Sequence, residues 1–147
     1  MNSSEPGDTP VGVIGVGWVG LVTAACFSEL GHPVVACDVV QEKVAALNRG
    51  EVTIHEPGLA ELITKNKDRL EFTTDIETVL SRTRLIFVCV DTPPTYSGDA
   101  DLSRVRAVVA DLKADGDHVL IMKSTVPAGT GETIRRDRWP SVWRAVP

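Results

Sequence analysis

Val11-Gly12-Val13-Ile14-Gly15-Val16-Gly17-Trp18-Val19-Gly20 runs from an apolar stretch into a glycine-rich turn, and Asp38 closes the next apolar stretch, Val34-Val35-Ala36-Cys37. The order is strand, tight turn, helix, second strand, acid, which is the order needed to cradle a dinucleotide. Gly15 permits the tight turn, Gly17 lets the main chain approach a pyrophosphate, and Gly20 lets the helix lie close to the strand. Main-chain N–H groups and the positive end of the helix dipole then face the phosphates. Gly15, Val16, Gly17, Trp18, Val19 and Gly20 are therefore candidate cofactor-binding residues. Asp38 follows the first glycine by about 20 residues, where an acid accepts from both ribose hydroxyls and repels a 2′-phosphate. The reading is NAD rather than NADP. The plainer alternative is a structural turn with Asp38 as a solvated strand end; the strand context and the placed acid favour the nucleotide.

Outward from this unit, strands and helices alternate. A helix is expected over about Trp18 to Leu30, with Val19, Val22, Cys26 and Leu30 inward and Gly31 as its stop. A second helix, about Val40–Arg49, turns Val44 and Leu47 inward and stops at Gly50. Pro57 suits a first helical position, opening a helix that buries Leu59, Leu62 and Ile63. Leu70-Glu71-Phe72-Thr73 alternates as a strand, and Thr74 and Glu77 have capping-box spacing before a short helix. Leu85-Ile86-Phe87-Val88-Cys89-Val90 is apolar throughout, as in a parallel strand covered on both faces. A helix from about Asp101 turns Leu102, Val105, Val109 and Leu112 inward and ends at Gly116. Val119-Leu120-Ile121-Met122 reads as another buried strand. This pattern predicts an α/β fold, a Rossmann-type doubly wound parallel sheet that stops after about five strands. Residues 1–9 read as a disordered lead, 10–131 as the folded domain and 132–147 as an atypical tail.

The 147 residues suffice for one domain with a real core, and 43% hydrophobic content is ordinary for a globular chain. A net charge of −5 with dispersed acids gives no basic stripe for nucleic acid and no cationic amphipathic segment for a membrane surface. The polar start lacks the pattern of a signal peptide, and a cytoplasmic setting is expected. Cys26, Cys37 and Cys89 show no CxxC spacing and read as small buried hydrophobes. With no convergent His/Cys/Asp set, no metal site is expected.

Four blocks then align with one family: Gly15-Val16-Gly17-Trp18-Val19-Gly20-Leu21, Gly50-Glu51-Val52-Thr53-Ile54-His55-Glu56-Pro57-Gly58-Leu59, Phe87-Val88-Cys89-Val90-Asp91-Thr92-Pro93-Pro94, and Lys123-Ser124-Thr125-Val126-Pro127-Ala128-Gly129-Thr130. In this order they resemble the NAD-binding domain of the UDP-glucose/GDP-mannose dehydrogenases, over about Val11 to Gly131. The resemblance implies a nucleotide-sugar 6-dehydrogenase, which oxidises a primary alcohol to a carboxylate with two NAD through a cysteine thiohemiacetal and thioester. It further implies that Lys43 reaches the adenosine end and that Val90, Thr92 and Pro93 line the nicotinamide side. Ser124 and Thr125 lie past a strand's carboxyl end, and Thr125 matches a threonine that hydrogen-bonds near the reacting centre and helps place water. Trp18 stands where the family usually has Tyr; an indole donates but does not accept.

The family chain continues to about three times this length, and its catalytic cysteine, lysine and asparagine lie in that continuation. The three cysteines here match no part of the nucleophile motif. Taken alone, the chain is expected to bind NAD at most weakly, to turn over no nucleotide sugar, and either to be marginally stable or to self-associate through an exposed sheet edge. A stand-alone NAD-binding or sensing module is the alternative. Residues 132–147 hold Trp139, Trp143, Arg135, Arg136, Arg138 and Arg144, and the stretch from Arg135 to Pro147 shows neither helical period nor apolar run. They read as a premature end after a reading-frame change, or else as an authentic short tail whose tryptophans dock on the sheet edge.

Overall fold

The computed structural model describes residues 7–112 and 117–138. Strands β1 (Val11–Ile14), β2 (Val34–Cys37), β3 (Leu70–Thr73), β4 (Leu85–Val88) and β5 (Val119–Met122) form one sheet in the order β3-β2-β1-β4-β5. Every neighbouring pair is parallel. Ile14 pairs with Cys37 on one side and with Val88 on the other, so β1, β2 and β4 end level. The chain leaves β1 outward through β2 and β3, then returns to β4 on the opposite side. That reversal makes a switch point, and it opens a crevice at the carboxyl ends of the strands.

Alternation along each strand feeds two cores. Val13 and Ala36 join the layer of α1 (Trp18–Glu29), α2 (Gln41–Asn48) and α3 (Leu59–Lys65). Val35, Ile86 and Val88 join the layer of α4 (Ile76–Arg82) and α5 (Ser103–Asp111). The sheet is thus doubly wound, as the alternating pattern predicts. Val11, Val13, Leu21, Ile86 and Val88 are essentially inaccessible to solvent, and burial of each such side chain is worth about 1.5–3 kcal/mol.

The sequence reading errs at several local points. The inner stripe of α1 is Gly20, Leu21, Ala24, Ala25 and Ser28. Val19, Cys26 and Leu30, expected inside, are exposed. Small residues win this face because α1 lies close on β1, and large side chains would hold it off. The Ser28 hydroxyl donates to the Ala25 carbonyl at 2.7 Å, so its burial leaves no donor orphaned. Cys37 and Cys89 are buried as expected, whereas Cys26 is a surface thiol.

The cap of α4 is Asp75 rather than Thr74; its carboxylate accepts the N–H groups of Glu77 at 3.1 Å and Thr78 at 3.2 Å. Pro57 lies in a turn, and α3 starts two residues later, after Gly58 at φ +81°. β5 is half-exposed rather than buried, because it forms the sheet edge among the described residues.

Helix α6 (Thr130–Arg138) extends into the start of the segment expected to lack helical order, as far as Arg138, and Ile134 packs against the second core. The expectations for Gly116, Trp139, Trp143 and Arg144 fall outside the described residues. Of the lead, Thr9 is anchored: His32 Nδ1 donates to its carbonyl at 3.0 Å. Among the described residues, no helix is long and apolar enough to cross a membrane.

Candidate dinucleotide-binding site

The glycine turn sits where β1 meets α1, and each of its three glycines answers a different constraint. Gly15 has φ +92°, and a Cβ there would lie 2.8 Å from the Cys89 carbonyl oxygen. Its N–H donates to the Cys37 carbonyl at 2.8 Å, which ties the turn to β2. A Cβ on Gly20 would run into the Gly15 carbonyl oxygen, so the helix can seat on the turn only with glycine there. Gly17 is different: its nearest protein neighbour would be Asp91 Oδ1 at 3.5 Å, an ordinary contact. Nothing among the described residues demands a glycine at 17, and the clearance it leaves is on the side a ligand would approach. The start of α1 has no side-chain cap and no acid in its own first turn, which leaves its N–H groups facing outward.

Asp38 follows β2 and faces the turn. Its Oδ2 accepts the Val16 N–H at 3.0 Å and the Lys43 ammonium at 3.1 Å, and its Oδ1 accepts the Val40 N–H at 3.0 Å. Burial pushes this carboxyl up, but the Val40 and Val16 N–H groups, with Lys43, outweigh it and hold the group below the usual aspartate range. Asp38 is therefore a carboxylate at neutral pH. A carboxylate offers about four acceptor sites, and three are occupied.

A cavity of about 460 Å³ opens between these elements. It gathers Gly15, Gly17, Asp38, Lys43 and Val90 of the residues expected from sequence. The Val16 N–H serves Asp38, Gly20 is buried beneath the turn, and Trp18 and Val19 are exposed on the first turn of α1. Thr92, Pro93, Ser124 and Thr125 lie outside this cavity, in the loops that follow β4 and β5. Those loops are stitched together: the Thr92 hydroxyl donates to the Thr125 carbonyl at 2.7 Å, and the Ser124 hydroxyl to the Val90 carbonyl at 2.7 Å.

Sequence reasoning missed the far wall of the cavity. That wall is built by Thr74, Ile76 and one stripe of α5, namely Arg104, Ala107, Val108 and Asp111. Their i, i+3, i+4, i+7 spacing is the available signal, but the same helix carries a second, more apolar stripe that faces the core. Asp91 also lines the cavity and bonds Arg104. Cys37 and Cys89 lie on the cavity floor, and burial pushes their thiols up to about 12 and about 11 respectively. Neither is a thiolate at neutral pH.

Comparison with known proteins places this geometry. The sequence profile described as UDP-glucose/GDP-mannose dehydrogenase family, NAD binding domain, matches residues 9–140. The chain is 42% identical over 132 residues to UDP-glucose 6-dehydrogenase TuaD of Bacillus subtilis, a match that covers 85% of this chain and 28% of that protein. A crystal structure of a ternary complex of GDP-mannose dehydrogenase from Pseudomonas aeruginosa is similar with a TM-score of 0.79 and 32% identity, covering 84% of this chain and 30% of that one. A UDP-glucose dehydrogenase from the archaeon Pyrobaculum islandicum is similar with a TM-score of 0.80 and 33% identity, covering 94% and 34%. The chain thus spans under a third of the length of the curated relative it matches.

Proposed function

Since the chain belongs to the UDP-glucose/GDP-mannose dehydrogenase family and carries its NAD-binding domain, we propose that residues 9–140 hold NAD across the switch point between β1 and β4, as the cofactor-binding part of a nucleotide-sugar 6-dehydrogenase. The observation that carries this reading is Asp38: an ionised acid at the end of β2, fixed by Val16 and Val40, facing the cavity that the glycine turn opens. One acceptor position on Oδ1 remains for a ribose hydroxyl, and release of Lys43 frees a second on Oδ2. A 2′-phosphate would add negative charge beside this carboxylate, which favours NAD over NADP.

The other residues take roles by position. Gly15, Gly17 and Gly20, with the N–H groups of Trp18 and Val19, form the diphosphate cradle. Lys43 neutralises Asp38 and reaches the adenosine end. Val90, Thr92, Pro93, Ser124 and Thr125 form the nicotinamide side. Thr92 and Ser124 give their protons to main-chain carbonyls, so their oxygens meet a ligand as acceptors. Thr125 is exposed on the rim, where it would hydrogen-bond near the reacting centre.

When bound, NAD supplies a hydride acceptor. What these residues do is hold and orient it. The covalent step that the family resemblance implies needs a thiolate nucleophile, and this chain supplies none on the rim: Cys37 and Cys89 are buried and protonated, and Cys26 lies on the solvent side of α1. The chain is accordingly a cofactor-holding unit without turnover of its own. The outer edge of β5, which pairs only with β4 among the described residues, is where a second chain would add. Sedimentation equilibrium of the 147-residue chain tests that association.

Titration calorimetry tests the central reading. NAD should bind, NADP should bind at least about tenfold more weakly, and UDP-glucose or GDP-mannose with NAD should yield no NADH. Absence of heat with NAD on a folded sample overturns the site; NADH production overturns the absence of turnover.

A further inference from the structure

Two charged side chains in the cavity have no part in the reading above. Asp91, just past β4, and Arg104, in the first turn of α5, form an ion pair with Nη1 3.2 Å from Oδ2. Their side chains are 72% and 59% exposed, and a pair so exposed contributes little to stability. Its position is what matters. Asp91 Oδ1 is the protein atom nearest to where a side chain on Gly17 would begin, 3.5 Å away. The pair therefore stands at the mouth of the glycine turn, the end of the site built for an anion. A carboxylate there opposes a diphosphate, and the guanidinium bonded to it cancels that charge. Of the two cations that line the cavity, Lys43 is engaged by Asp38. Arg104 is hydrogen-bonded, among the described residues, by the exposed and replaceable Asp91, while Asp101 near the start of α5 attracts it without a hydrogen bond to it. Its planar fork suits two oxygens of a phosphate as well as those of a carboxylate.

We propose that Arg104 is the diphosphate-recognising side chain of this site and that Asp91 is the partner it gives up: the guanidinium exchanges the Asp91 carboxylate for a diphosphate oxygen when a dinucleotide enters. This inference rests on the NAD reading of the cavity and adds a specificity device to it. The exchange makes binding ionic, so affinity falls with salt, and it rewards ligands that carry two phosphates over the bare nucleoside. Asp91 sets the affinity from the other side, because the ligand must displace it.

The test is calorimetry on the 147-residue chain with NAD, ADP and adenosine as probes, at low and high salt. Arg104→Gln should weaken NAD and ADP about tenfold and leave adenosine unchanged. Arg104→Lys should fall between, since it keeps the charge and loses the fork. Asp91→Asn should tighten ADP about threefold, and Arg104→Gln should flatten the salt dependence of ADP binding. Both residues are exposed, so the variants keep the parent's melting temperature, and unchanged adenosine binding is a second control on folding. The proposal is overturned if Arg104→Gln leaves ADP unchanged, or weakens adenosine as much as ADP, which would put the guanidinium on the base. It is also overturned if Asp91→Asn leaves ADP binding the same or weaker. Absence of NAD binding by the parent chain overturns the NAD reading itself and this inference with it. Failure confined to the variants overturns this inference alone.

Discussion

The Asp38 carboxylate accepts the main-chain N–H of Val16 at 3.0 Å, so one acid both closes the glycine turn and faces the cavity. Asp38→Ala removes the proposed ribose acceptor and leaves the N–H of the fully buried Val16 without that partner. NAD affinity should drop by about 1.5–3 kcal/mol, tenfold to a hundredfold, read by calorimetry, and the orphaned N–H should cost about 1–3 kcal/mol of stability in a denaturant titration.

The same carboxyl makes stability depend on pH. It lies below the ordinary aspartate value of 3.8 because the Val40 and Val16 N–H groups and Lys43 overcome the effect of burial. A group with a lowered folded-state pKa binds its proton more readily when unfolded, so its stabilisation is complete above 3.8 and is lost as pH falls through the lower folded value. The stability gap between the parent and Asp38→Ala should therefore be constant near neutrality and shrink in acid. A gap that does not change on acidification would contradict the assignment.

The three glycines should separate by phenotype when each is changed to Ala. Gly20→Ala drives a Cβ into the Gly15 carbonyl and should cost about 3 kcal/mol or more, since neither the helix nor the turn can yield. Gly15→Ala meets both a left-handed backbone and the Cys89 carbonyl, and should be similarly damaging. Gly17→Ala has room and an extended backbone, with φ −71° and ψ −161°. Its melting temperature should hold while NAD binding drops by at least about tenfold.

The hydroxyl stitch between the loops gives a different signature. Thr92→Val keeps shape but removes the bond to the Thr125 carbonyl, at a cost of about 0.5–1.5 kcal/mol. It should weaken NAD while leaving adenosine binding intact, because Thr92 and Thr125 lie outside the cavity that Asp38 lines, where the adenosine is proposed to sit. Equal loss for both ligands would place these loops elsewhere in function.

Thiol accessibility checks the helix packing. In the native chain one cysteine, Cys26, should react readily with a thiol reagent near neutral pH. Cys37 and Cys89, buried with thiols pushed up to about 12 and about 11, should react only on unfolding. Cys26→Ser should abolish the fast phase and leave stability nearly unchanged.

The strand–glycine–helix–acid order was legible because each step is a short-range rule. Gly15 must turn, and the apolar runs must be strands. The helix stop at Gly31 followed from the same kind of rule: it sits at φ +99° with its N–H on the Ser28 carbonyl. The α1 stripe was not legible, because apolar size favours Val19 and Leu30 whereas the clearance between α1 and β1 selects Gly20, Ala24 and Ala25. That clearance is a distance between elements, and no local pattern encodes it.

Local chemistry along the chain was enough for the class of fold, the parallel sheet and the pairing of a glycine turn with Asp38. Periodicity, turn propensity and charge all act within a few residues. The cavity wall on α5, the Asp91–Arg104 pair and the tie between Thr92 and Thr125 arise from folding, when β4 and β5 come side by side. Which polar groups then meet depends on strand register and helix rotation, and those are set by packing summed over the whole sheet.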